Sequence, residues 1–392
     1  MRVAAGAAGH PHRLAAPAGD GHQRMNDSLI RPAANADLPA LLKLENASFD
    51  SDRMSRRSFR YFLQQGQNCF LVAEWERNIV GYILVLLHRG THLARIYSIA
   101  VDRSQQGRGI AHRLIEQAEK VCADQGRVSM RLEVRKDNAR AIRLYGLLGY
   151  HPFGEYKDYY EDHTDALRLQ KRILSPNAQT IHADVPYYPQ HTDFTCGPAA
   201  LMMAMASLNP ATALTMNEEL GIWREATTIY MMAGHGGCSP VGLALAAIRR
   251  GFRADTYLSV TDTPFIDSVR DEEKKQVIEL VHQDFLQQLA CHHAPVHYAN
   301  ITQVELENAL EQGKTPLVLI STYRFDHKKT PHWVVVTAMD ERFIYIHDPY
   351  INETDYRFAL DNQYLPISRN DFDKMSQFGQ LRLRTAVIIG LG

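Results

Sequence analysis

A chain of 392 residues is too long for one ordinary core, so two domains are expected. Hydrophobic residues make up 45% and charged residues 22%, the balance of a soluble globular protein, and a net charge of −1 argues against broad nucleic-acid binding through a basic surface. The longest apolar run, Ile79 to Leu87, is too short to cross a bilayer. The five cysteines are odd in number and contain no C-x-x-C, which reads as reduced thiols in a cytoplasm.

Residues 1–27 are rich in Ala, Gly, His, Arg and Pro and lack the apolar segment of a signal peptide. They read as a disordered extension, with Met25 as an alternative start. Ile30 opens a short strand, and Asn35 to Phe49 reads as a helix with Leu38, Leu41, Leu42 and Leu44 on its apolar side. Ser55 to Gln65 reads as a second helix whose Arg56, Arg57 and Arg60 form a solvated face. Cys69 to Glu74 and Val80 to Leu87 alternate like paired strands about Glu76-Arg77-Asn78. Another strand, His92 to Val101, runs into a glycine turn, and a helix is expected over Gly107 to Asp124. Val128 to Val134 is the next strand, Asn138 to Tyr150 an amphipathic helix, and His151 to Lys157 with Ala166 to Arg172 a final strand pair.

Strand, glycine turn and helix start together make a phosphate-binding device. Glycine allows close backbone approach, and the unpaired amides of the first helical turn meet negative charge. Gln106, Gly107, Arg108, Gly109, Ile110 and Ala111 fit Q/R-x-x-G-x-G/A and do not fit G-x-G-x-x-G. A second pattern, N-x-x-A-x-x-L-Y-x-x-x-G-Y, follows at Asn138 to Tyr150. Both patterns resemble the GNAT acyltransferases over about Ser28 to Arg172. With Leu132-Glu133-Val134-Arg135 before Asn138, the likeness is to the ribosomal-protein alanine N-acetyltransferases. The resemblance implies acetyl-CoA as co-substrate, bound by the loop, by Asn138 and by backbone groups of Ile99 and Val101. It also implies Glu133 as general base and Tyr145 as general acid. Read from residue type alone, the alternative to catalysis for Glu133 is a strand-end carboxylate making a salt bridge.

Ser175-Pro176-Asn177 breaks the periodicity and opens a linker over residues 175–184. The second domain, residues 185–392, begins with a polar loop ending at Cys196-Gly197-Pro198, followed by an Ala-, Leu- and Met-rich helix whose methionines read as core. A cysteine at a helix N-terminus is favoured as thiolate. Gln190, six residues earlier, carries an amide suited to an oxyanion. His332 heads an apolar strand and Asp348 ends the next, so two antiparallel strands present them side by side, while His347 points to the other face.

The order Gln190, Cys196, His332, Asp348 resembles the papain-like peptidases that remove double-glycine leaders. The chain departs from that pattern in Thr195, where an acidic residue is common, and in a helical insertion near Asp271 to Ala290. Cys291, His292, His293 and His297 follow no zinc spacing, and no metal is expected. The fold class is thus an α/β mixed-sheet GNAT domain (residues 28–174) followed by an α+β papain-like domain. The expected protein is a cytoplasmic bifunctional enzyme with a peptide or protein substrate, without a nucleic-acid or membrane partner. Two other readings stay open: a second domain that only binds peptide, and an acetyltransferase for small amines.

Overall fold

The computed structural model describes residues 2–3, 28–49, 53–64, 66–174, 180–228, 236–266, 269, 271–351, 359–379 and 381–392. The expected linker residues 175–179 and Met25 lie outside this set. Two compact units result, one of Met1–His88 and His92–Pro176, the other of Asn177–Gly392 with Arg89–Thr91.

In the first unit a mixed sheet is formed by β1 (Arg2–Val3), β2 (Leu29–Pro32), β3 (Asn68–Trp75), β4 (Asn78–Leu87), β5 (Leu93–Val101), β6 (Ser129–Arg135), β7 (His151–Tyr156) and β8 (Ala166–Arg172). Its order is β2-β3-β4-β5-β6-β8-β7, with β1 on β5. Arg2–Val3 thus forms a short strand beside Ser98 and Ile99, inside the stretch read from sequence as disordered. The turn between β3 and β4 places Glu76 and Arg77 in the left-handed region, as a two-residue hairpin turn requires. Helix α1 (Leu38–Ser48) packs on β4 and β5, and α3 (Ile110–Asp124) packs on β3, β4 and β5. Arg56, Arg57 and Arg60 on α2 (Arg56–Gln64) are exposed, as expected. Helix α4 (Ala139–Leu147) is capped by Asn138, whose Oδ1 accepts from the Ala141 amide at 3.1 Å.

One expectation fails at the glycine turn. The helix starts at Ile110, three residues later than read from sequence, because Gly107 and Gly109 adopt φ of 82° and 71°, which a helix does not contain.

The second unit is organised on another eight-stranded sheet, ordered β11-β10-β16-β12-β13-β14-β15 with β9 on β13. The strands are β9 (Ile181–His182), β10 (Phe252–Leu258), β11 (Val296–His297), β12 (Thr315–Ser321), β13 (Pro331–Met339), β14 (Phe343–His347), β15 (Leu365–Ser368) and β16 (Thr385–Leu391). Strand β9 falls inside the stretch read as linker, and pairs His182 with Ala338. Helix α5 (Cys196–Leu208) lies across β12, β13 and β16 and is flanked by α6 (Met216–Ala226) and α7 (Pro240–Arg249). Met202, Met203 and Met205 are fully buried there. A helix apolar on all sides has no solvent face, so α5 is the centre of this core. The insertion forms α8 (Glu272–Cys291).

Candidate active sites

The first site grows from a divergence in the sheet. β5 and β6 run parallel and pair only from Leu93/Ser129 to Arg95/Arg131. Beyond that point β5 stays on β4 but leaves β6, and a cleft of about 240 Å³ opens. Ile99, Val101, Gln106, Gly107, Gly109, Ile110, Ala111, Asn138 and Tyr145 all line it. Arg108 does not; its guanidinium lies 5.7 Å from the Trp75 ring centroid. Gly109 caps α3 without a side-chain hydrogen bond, so the first amides of that helix are left for another acceptor. Three buried polar atoms of its lining have no partner: the donors Tyr145 hydroxyl and Asn138 Nδ2, and the acceptor Gln105 Oε1. Burial raises the Tyr145 phenol above its ordinary value, keeping it a proton donor.

Glu133 behaves as the salt-bridge alternative describes. Its side chain is fully buried, and Arg95, itself 1% exposed, donates to it at 2.9 Å and 3.3 Å. The register explains the meeting, since Arg95 pairs with Arg131, two residues from Glu133 on the same strand face. Glu133 is absent from the cleft lining.

In the second unit Cys196, His332 and Asp348 come together, and the Gln190 backbone reaches Pro349, next to Asp348. His332 Nε2 and Asp348 Oδ1 are 2.7 Å apart, and the Tyr350 amide donates to the same carboxylate oxygen at 2.9 Å. His332 also hydrogen-bonds Cys196. Burial opposes a thiolate, yet the His332 charge and hydrogen bond, with the Trp333 and Gly197 backbone, outweigh it and lower the Cys196 thiol. Burial likewise opposes the imidazolium, but Asp348 and Cys196 push His332 up to about 10. Both shifts favour a thiolate–imidazolium pair, and the Asp348 carboxylate orients the imidazole. The Gln190 amide nitrogen donates to the Thr192 carbonyl at 2.7 Å, and its Oε1 is buried without a partner. Thr195, the departure noted in sequence, is buried and pins the same turn by donating to the Thr192 carbonyl at 3.1 Å. His347 faces away, with Nε2 2.9 Å from the Val185 carbonyl.

Comparison with known proteins places both units. A model of the Peptidase_C39 like family matches residues 185–390, more than half the chain, and a model of the acetyltransferase (GNAT) family matches residues 38–150. An uncharacterized N-acetyltransferase of Methanocaldococcus jannaschii is 32% identical over 152 residues, 38% of this chain and 94% of that protein. The chain belongs to both families. N-alpha-acetyltransferase MAK3 of Arabidopsis thaliana is 30% identical over 165 residues, 41% of this chain and 86% of that one. The [ribosomal protein bS18]-alanine N-acetyltransferase of Salmonella typhimurium is 31% identical over 140 residues, 34% of this chain and 90% of that one.

The GNAT unit is thus an N-acetyltransferase, and its cleft fits acetyl-CoA. The uncapped α3 amides suit a pyrophosphate and the two orphaned donors suit polar atoms of the arm, while the β5 flank at Ser98 and Ile99 is paired with β1. In the Peptidase_C39-like unit, sequence reasoning missed Trp333, whose ring packs 3.2 Å from the Cβ position of Gly197 and whose Nε1 donates to the Cys238 carbonyl at 3.3 Å. It also missed Glu219, which reads in sequence as an ordinary helix acid. No group of three or more His, Cys, Asp or Glu able to hold a metal occurs among the described residues.

Proposed function

We propose that the first unit transfers an acetyl group to the N-terminal amine of a peptide or protein, and that the second cleaves a peptide bond through Cys196. The observation carrying the first half is the unpartnered Tyr145 hydroxyl at the wall of the cleft. Acetyl-CoA, when bound, supplies an activated thioester. Gly107, Gly109, Ile110 and Ala111 would hold its phosphates, and Val101 and Asn138 its arm, the Ile99 position being paired with Val3 of β1. Tyr145, kept protonated by burial, gives its proton to the departing thiolate. The amine loses its proton to a water relay ending at Glu133, since a carboxylate sealed under Arg95 cannot touch the amine directly. The peptide substrate is favoured over small amines by the relatives, whose names describe protein N-terminal acetylation.

For the second half, Cys196 attacks the carbonyl as thiolate and His332 protonates the leaving amine. A water deprotonated by His332 then hydrolyses the thioester and frees the thiolate, while Asp348 holds the imidazole and Gln190 supplies an amide hydrogen bond to the oxyanion. Covalent linkage of the units suggests an order: cleavage exposes an amine that the neighbour acetylates.

The test is acetyl-CoA turnover across a panel of peptides with intact mass recorded, for wild type, Tyr145→Phe and Cys196→Ala. The expected result is acetylated peptides lost in Tyr145→Phe and shortened peptides lost in Cys196→Ala. Acetylation of polyamines but no peptide would overturn the substrate assignment. Equal acetylation of uncut substrate by Cys196→Ala would overturn the coupling.

A further inference from the structure

The Gln190 turn is gripped from two sides. On one, the Gln190 amide donates to the Pro349 carbonyl at 2.9 Å, next to Asp348. On the other stands Glu219 of α6, whose carboxylate is fully buried. Its Oε1 accepts from the His191 backbone amide at 2.9 Å. Its Oε2 accepts from the Tyr188 hydroxyl at 2.9 Å and lies 2.8 Å from His191 Nδ1. A buried carboxylate with three donors from residues 188 to 191 costs desolvation that a purely apolar α6 would avoid. The donors all belong to the segment that contains Gln190, whose own side-chain nitrogen donates to the Thr192 carbonyl at 2.7 Å.

We propose that Glu219 is a positioning residue for the cysteine site: it fixes the Tyr188–His191 turn so that the Gln190 amide meets the oxyanion. This rests on the hydrolytic reading of Cys196. The side-chain amide loses part of its preorganisation when the clamp is released, because the Pro349 and Thr192 bonds and the Thr195 contacts lie on the other side of the turn from residues 188 and 191.

An aldehyde and an alkylating agent separate the roles. Addition of the Cys196 sulfur to a peptide aldehyde forms a C–S bond and moves the carbonyl π pair onto oxygen, which takes the proton from His332, so binding reads the donor that faces this oxygen. Iodoacetamide is displaced at saturated carbon with loss of iodide, and reads only the thiolate. The probes are acetyl-Gly-Gly-aldehyde and iodoacetamide, applied to the full chain. Glu219→Ala and Gln190→Ala should each weaken the aldehyde by about a hundredfold and leave Cys196 alkylation within twofold. The double variant should lose no more than either single one. Glu219→Gln, which keeps one acceptor, and Tyr188→Phe, which removes one donor, should lie between and stay folded. Wild-type aldehyde affinity in Glu219→Gln and in a folded Glu219→Ala, alongside loss in Gln190→Ala, would overturn the positioning role and leave hydrolysis standing. A wild type that neither alkylates selectively at Cys196 nor binds the aldehyde would overturn the hydrolytic reading, and this role with it.

Discussion

Replacing Tyr145 by Phe should make the GNAT unit slower and no less stable, an unusual pairing that follows from one atom. The Tyr145 ring is 1% exposed and packs edge-on against Tyr150 with centroids 5.5 Å apart, contacts that Phe retains. The hydroxyl it loses is buried and has no partner. Removing an unsatisfied buried hydroxyl relieves desolvation of about 1 kcal/mol. In a domain of this size that corresponds to a rise in Tm of about 2–4 °C. Loss of a general acid costs about 10²–10⁴ in rate, or about 3–5 kcal/mol of transition-state stabilisation. Release of coenzyme thiol from acetyl-CoA, followed colorimetrically with a peptide acceptor, reads the rate, and thermal melting reads stability. A variant of undiminished kcat would remove Tyr145 from the chemistry. A variant melting several degrees lower would mean that the hydroxyl has a structural partner.

Cys196 should alkylate at pH 7 faster than exposed Cys291, because its thiol is lowered whereas burial raises that of Cys238. The reactive pair exists above the lowered thiol value and is lost as pH rises through about 10, where His332 deprotonates; the sign follows from a depressed acid facing a raised base. His332→Ala lets burial dominate, so peptide mapping at pH 7 should show slow Cys196 labelling; unchanged labelling would sink the ion pair. Arg95→Ala strands a fully buried carboxylate and should cost about 3–5 kcal/mol in denaturant unfolding, with much of the loss recovered in Arg95→Met/Glu133→Leu. Gly109→Ala meets no atom within 4 Å, so its loss of about 1 kcal/mol comes from the left-handed backbone alone, and a raised KM for acetyl-CoA should accompany it.

Local chemistry was legible in the chain. Gly107 and Gly109 announce a turn because only glycine adopts their φ freely, and Asn138 announces a cap because its short amide reaches Ala141. The strand heads carrying His332 and Asp348 could be placed because antiparallel neighbours close in sequence leave few registers. Even so, the α3 boundary was misplaced, since apolar periodicity continues through glycines that the helix excludes. Asn138 to Tyr150 was legible as a helix for the same reason of spacing, and its end at Leu147 required the positive φ of Gly149 to be known.

What tertiary structure alone decided is which charges share a burial site. Arg95 and Glu133 are 38 residues apart and meet only because β5 and β6 pair in parallel over three positions. Glu219 reaches the Gln190 turn only through the packing of α6 on α5, and Ile181–His182 becomes a strand only because β13 offers an edge. The physical reason is range. Backbone preference and hydrophobic period act over a few residues and are written in the chain, whereas register and desolvation depend on segments brought together by the whole fold.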